Sequence, residues 1–230
     1  MATHYGINTT GRVYSITGGA SGIGLRKEVK EINQDTEVYL EDVDVGDNAQ
    51  VQDWVQRIIK TSGALHGSAN VAGIPQKAYT GGRPAILIES DQEWERILRV
   101  NLDGVKYCTR AQVEAMLSMD KGSHPAIVNV TSRWHSRTML APMPTKSAKP
   151  HASISPRPLP TTSARSTLTP MTKVFFGDIP EGKFEETMEA YGLPPTPLQP
   201  EDVARVIVWL LSENSLDVNG NGLPVGGSEP

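Results

Sequence analysis

The feature that most constrains this chain is a glycine-rich turn, TGGASGIG, at residues 17–24, directly after the short apolar run RVYSI at 12–16. Gly18, Gly22 and Gly24 then fall where a strand hands over to a helix. Such spacing suits a tight turn at the first glycine, close backbone approach of a pyrophosphate at the second, and close helix–strand contact at the third. The N–H groups and dipole of the helix start would favour the phosphates. An ordinary strand–turn–helix corner would use the same glycines.

The rest of the chain alternates strand-like and helix-like stretches, the pattern of an α/β domain with a parallel sheet. Residues 37–45 (EVYLEDVDV), 67–72 (GSANVA) and 126–131 (AIVNVT) read as strands, and NGLPVGG near the end supplies a last short one. Val51, Val55 and Ile58–Ile59 fall at helical spacing within 49–61. Asp91 caps a helix to about 99 with Trp94, Ile97 and Leu98 on one face; further helices are expected over 103–119 and 200–213, the last with Pro200 in its first turn.

Two places break the rhythm. Only 25–36 separate the glycine turn from the next strand, room for one very short helix with Leu25, Val29 and Ile32 on a face. Residues 133–169 carry prolines at 142, 144, 150, 156, 158 and 160, no acidic residue, and neither period 2 nor period 3.6. A structureless loop of that size is foreign to a compact domain.

Composition narrows the classes. A chain of 230 residues suits one domain, here 1–230, and can bury a real core. With 38% hydrophobic and 21% charged residues it is neither disordered nor membrane-spanning, and a formal net charge of −4 argues against nucleic acid or an anionic membrane as partner. Seven basic residues between Arg133 and Lys173 lack the interleaved aromatics of a nucleic-acid tail. The single cysteine, Cys108, excludes an internal disulfide and a multi-cysteine zinc site; the five histidines show no metal-ligand spacing, so no metal is expected. The N-terminus lacks the pattern of a secretory signal, and a cytoplasmic location is expected.

Taken in order, TGGASGIG (17–24), VDV (43–45), NVAG (70–73), VNLDGV (100–105), VNVTS (128–132) and LTPM (168–171) resemble the short-chain dehydrogenase/reductase family across most of the chain. The phrases ALHGSANVAGIPQ, VNLDGVKYCTRAQVEAM and EDVARVIVWLLSEN are similar to its fungal secondary-metabolism, chanoclavine dehydrogenase-like members. The resemblance implies a Rossmann-like, doubly wound parallel sheet, an NAD or NADP cofactor, and hydride transfer to or from an alcohol or carbonyl of a small-molecule substrate. It assigns Gly18, Ser21, Gly22, Ile23 and Gly24 to the pyrophosphate, Asp44 and Val45 to the adenine, Asn70, Ala72 and Gly73 to the cofactor ribose, and Thr169 to the nicotinamide end. The 103–119 helix would be the face of a homo-oligomer, and 182–196 the region over the substrate.

The family's catalytic set is an Asn, a Ser, a Tyr and a Lys. Asn101, Ser132 and Lys149 match, but the Tyr does not: thirteen residues after Ser132 stands Thr145, followed by Lys149 in TKSAK. A threonine hydroxyl is far too weak an acid to replace a phenol, and loss of a general acid/base typically costs about 10²–10⁴ in rate. Impaired turnover, or a nucleotide-binding pseudoenzyme, is therefore expected. Reading the codons of Pro144–Ala152 one frame over can spell Tyr-x-[Val/Ile]-Ser-Lys-x-Ala-Cys, which would make 133–168 an irregular frameshift or gene-model product. Relative to the family the second strand and its flanking helices are expected to be missing after Gly24–Leu25, taking with them the residue that selects NAD or NADP. In a rival register 37–42 is that second strand, with Glu41 or Asp42 on the ribose hydroxyls.

Overall fold

The computed structural model describes residues 7, 9–19, 37–75, 87–120, 122–132, 161–164, 183, 186 and 199–225. Its centre is a sheet of five parallel strands in the order β1 (Tyr14–Thr17), β2 (Gly67–Asn70), β3 (Ala126–Ser132), β4 (Thr161–Ala164) and β5 (Gly222–Val225). The strands stand in register, so that Thr17, Asn70 and Asn129 lie side by side.

Helices cover both faces, as a parallel sheet requires. On one face lie α1 (Asn48–Ser62) and α3 (Gly104–Leu117), which enclose Val51, Val55, Leu65, Cys108, Ala111, Met116 and Ile127. On the other, α4 (Pro200–Leu210) lays Val203, Ile207 and Leu210 on Ala69, Val128, Val130 and Val225. The period-2 pleat explains the split: Ile127 faces one layer and Val128 and Val130 the other. Each such fully buried side chain contributes about 1.5–3 kcal/mol relative to exposure.

The helix ends follow local chemistry. The Asp47 carboxylate caps α1 by accepting from Ala49 and Gln50 N–H, and Gly63 closes it at φ 74°. For α2 (Asp91–Leu98) the cap is Ser90, whose hydroxyl accepts from Glu93 N–H at 3.2 Å, and not Asp91; Asp91 is the first helical residue, where its charge still favours the helix dipole. The helices expected as separate pieces over 91–99 and 103–119 form one run. They are joined by a π-helical turn, Arg99–Asp103, which carries Asn101.

Two further expectations are corrected. Residues 37–44 join no sheet, in either register proposed for them. Among the described residues β1 pairs only with β2, and a strand-like sequence with no neighbour to pair with gains nothing from extension. Tyr39 and Leu40 are accordingly exposed, and Glu41 pairs with Arg57 on α1. Second, the irregular segment 133–168 contains a strand, β4, seated between β3 and β5. A four-residue central strand is too short to announce itself by period, because such strands carry no alternation to read. The short helix expected in 25–36 lies outside the described residues.

Candidate active site

In open α/β sheets ligands settle beyond the carboxyl ends of the strands. Here that end is marked by Thr17 and Asn70. Gly18 follows in a left-handed conformation, φ 74°, and a Cβ there would lie 2.9 Å from the Cα and N of Ala72. A glycine is thus required both by the turn and by the neighbouring chain. The Thr17 hydroxyl oxygen accepts from the N–H groups of Val71 and Ala72, each at 3.1 Å, which ties the end of β1 to the loop after β2.

That loop is also held from the helical side. The Asn101 amide lies 2% exposed in the π-turn; its oxygen accepts from Ile74 N–H at 2.9 Å and its nitrogen donates to Ile74 C=O at 2.8 Å. One turn earlier, buried Glu93 takes Arg96 in a two-pronged pair at 2.6 and 2.9 Å, and Arg96 also donates to the carbonyl of Pro75. Glu93 was not legible beforehand as a buried residue, because a carboxylate normally marks the wet face of a helix.

The Asn70 side chain is turned inward. Its amide exchanges hydrogen bonds with Gln112 at 2.9 and 3.0 Å and donates to Asn129 at 2.9 Å, with all three residues buried. Among the described residues the Asn129 amide nitrogen ends this cluster without a partner, a buried polar atom of the kind that usually holds a water.

Between these parts lies a closed cleft that leaves no room for a water molecule in this structure. Val45, Ala72, Val100 and Val105 give it apolar walls, and Thr17 and Asn70 its inner edge. Gly104 completes it: a Cβ there would come within 2.9 Å of Val45 Cγ2. Cys108 also borders the cleft, but burial pushes its thiol up to about 12, so it is inert at neutral pH. On the rim, Asp44 accepts from Gly46 N–H and from Arg99. An open depression of about 300 Å³ lies at the amino ends of the strands around Arg12, His66 and Glu213. It is at the wrong end of the sheet for this chemistry, and Arg12 is already held by Glu213 and the Ser123 carbonyl.

The structure therefore brings Gly18, Asp44, Val45, Asn70, Ala72, Gly73 and Asn101 to one end of the sheet. Ser132 closes β3 at that same end. Ser21, Gly22, Ile23, Gly24, Thr145, Lys149 and Thr169, and nearly all of 182–196, lie outside the described residues.

The profile described as short chain dehydrogenase matches residues 25–141. Chanoclavine-I dehydrogenase of Arthroderma otae is 35% identical over 267 positions, covering 97% of this chain and 99% of the relative. This chain belongs to the short chain dehydrogenase family. Its relatives include chanoclavine-I dehydrogenase of Penicillium roqueforti, 38% identical over 261 positions with 95% of this chain and 98% of the relative covered. Both aligned spans exceed the 230 residues of the chain, so the relatives carry segments that this short chain dehydrogenase lacks. In fold it matches levodione reductase, TM-score 0.77 at 23% identity over 95% of this chain and 97% of the other. It also matches a short chain dehydrogenase of Burkholderia cenocepacia in complex with NADP, TM-score 0.75 at 18% identity over the same shares.

The cofactor class of the family is NAD or NADP, and the described residues fit it on their own terms. These residues meet at the carboxyl ends of the strands, where the family's cofactor class is expected, and the glycines at 18 and 104 let the neighbouring chain approach where a Cβ would intrude. Among the described residues no cluster of metal-ligating side chains occurs, and no helix is long and apolar enough to cross a membrane.

Proposed function

We propose that the whole chain, 1–230, is one dinucleotide-binding domain of an NAD(P)-dependent oxidoreductase for an alcohol or carbonyl of a small secondary metabolite, with impaired turnover. The observation that carries the impairment is Thr145, at the position where spacing from Ser132 and Lys149 calls for a phenol. The cofactor, when bound, supplies or accepts a hydride. Gly18 and the 21–24 turn hold its phosphates, Val45 and Ala72 wall its adenosine, and the loop around Gly73 borders its ribose. Thr169 reaches the nicotinamide end. Ser132 orients the substrate oxygen, and Lys149 grips the ribose.

The family's proton donor is missing at its usual spacing. Lys149 would lower the pKa of a phenol at position 145 electrostatically, but the sequence carries an aliphatic hydroxyl there. Asn101 serves as a positioning residue, since both ends of its amide are occupied by Ile74. A pseudoenzyme that binds nucleotide, or pairs with an intact copy through the 104–117 helix, is the limiting form of the same reading.

The test is titration of the full chain with NADH and NADPH, followed by a redox assay with chanoclavine-I, the substrate named for the relatives. Binding is expected, with turnover about 10²–10⁴ below that of an intact relative. Thr145→Tyr should recover part of the deficit. Turnover at the relatives' level in the unaltered chain would refute the role given to Thr145. Sequencing the transcript across 25–30 and 133–168 decides independently whether the altered frame is a property of the gene.

A further inference from the structure

We propose that Arg96, held in place by Glu93, is a positioning residue: it clasps the end of the 71–75 loop and so aims the N–H of Gly73 at a bound dinucleotide. That target rests on the dinucleotide-binding reading above. Every other backbone donor of the loop is already taken. Val71 and Ala72 N–H go to the Thr17 hydroxyl, Ile74 N–H goes to Asn101, and Pro75 has none to give. Among the described residues the Gly73 N–H is the one donor of this loop left without an acceptor. It stands at the carboxyl end of the sheet, where ligands settle. A lone N–H binds a ligand oxygen well only if its direction is fixed beforehand, because ordering a loop on binding costs affinity.

The loop is fixed at three points. Thr17 holds its start and Asn101 its middle; at its end Arg96 Nη2 donates to Pro75 C=O at 3.2 Å. The proline ring sets φ, so this one bond also settles the remaining torsion of residue 75. The guanidinium is itself held flat: its Nε donates to Glu93 Oε2 at 2.9 Å and its Nη2 to Glu93 Oε1 at 2.6 Å. Glu93 is only 4% exposed. Burying a carboxylate costs about what its ion pair returns, so stability alone gives little reason for the pair. Ser90 to Glu93 also has the S-x-x-E sequence of a capping box, whose glutamate turns back to the cap. Here both carboxylate oxygens face forward to Arg96.

A pair that merely stapled α2 would be served almost as well by lysine at 96, which can still meet Glu93. A clasp would not, because one ammonium cannot take both carboxylate oxygens and the Pro75 carbonyl in a single plane.

The experiment is residue-resolved amide exchange of the full chain and its Arg96→Lys and Arg96→Ala variants, with titration of each by NADH. Arg96→Lys should speed exchange at Ile74 about tenfold, the scale of one hydrogen bond to a charged group, and leave the α2 amides at the parent rate. It should weaken NADH about three- to tenfold. Arg96→Ala should loosen the loop as much and α2 as well; if it does not fold, the lysine variant carries the comparison. Unchanged exchange at Ile74 in Arg96→Lys, or exchange that rises only in α2, overturns the clasp. Faster exchange at Ile74 with unchanged NADH affinity overturns the aim given to Gly73. If the unaltered chain binds no NADH, the dinucleotide reading itself fails, and exchange at Ile74 still decides whether Arg96 holds the loop.

Discussion

Two stretches border the cleft, and they are held very differently. Residues 67–75 are fixed on every side. β2 pairs with β1 and β3, Thr17 takes two N–H groups of the following loop, Asn101 takes both polar groups of Ile74, and Arg96 takes the carbonyl of Pro75. Residues 37–46 are held by fewer contacts among the described residues: Glu41 pairs with Arg57, Val43 and Val45 touch the α1–α3 core, and Asp44 meets Arg99 and Gly46. The strand formers are concentrated in 37–45 (EVYLEDVDV), whereas β2 itself is GSAN. The difference teaches that β propensity becomes structure only where a neighbouring strand supplies hydrogen bonds and a covering helix supplies burial.

The contrast can be broken by substitution. The largest effect is expected at Ile97, 0% exposed on α2: Ile97→Ala should destabilise the protein by about 2–5 kcal/mol in urea unfolding. Asn101→Ala, which strands the two backbone groups of Ile74, should cost about 2 kcal/mol by the same measurement and weaken nucleotide binding in parallel.

A pH series sharpens the picture at the foot of β2. His66 Nδ1 accepts from Val13 N–H, and burial, with Arg12 adding to it, holds the imidazole below its ordinary value. The unfolded chain therefore takes up the proton first. Stability from this group is fully present above about pH 6.5 and is lost as pH falls from there toward the folded value, with a slope of at most about one proton. His66→Gln should remove that slope in pH-dependent thermal unfolding. The smallest effect is expected on the open side: Leu40→Ala, at a side chain 56% exposed, should change stability by less than about 0.5 kcal/mol. A loss above 1 kcal/mol there would mean that 37–44 is held like its counterpart.

What could be read from the sequence is whatever rests on local periodicity or on a backbone demand. Val51 and Val55 announce α1, the buried set Val105, Cys108, Ala111 and Met116 announces the inner face of α3, and Gly18 announces a turn that only glycine makes easily. What could not be read depends on partners distant in the chain. EVYLEDVDV is a good strand sequence with no strand beside it among the described residues; TTSA at 161–164 is a poor one placed between two. Glu93 and Gln112 look like surface residues until Arg96 and Asn70 are placed against them. At the site, the glycines, Asp44 and Asn101 stood out in the sequence, whereas Arg99 emerged only with Gly46 and Asp44 folded beneath it.

The π-turn takes up a change of length without moving what comes after it. A turn of that kind amounts to one residue inserted into an otherwise continuous rod and absorbed within a single wide turn. Excising a single residue from 99–103 would regularise the rod and leave Gln112 on Asn70 and Met116 in the core, but would remove the bulge that presents Asn101 to Ile74. The insertion thus works as a coupling joint, allowing one stretch of chain to grip the loop with its first half and the sheet with its second.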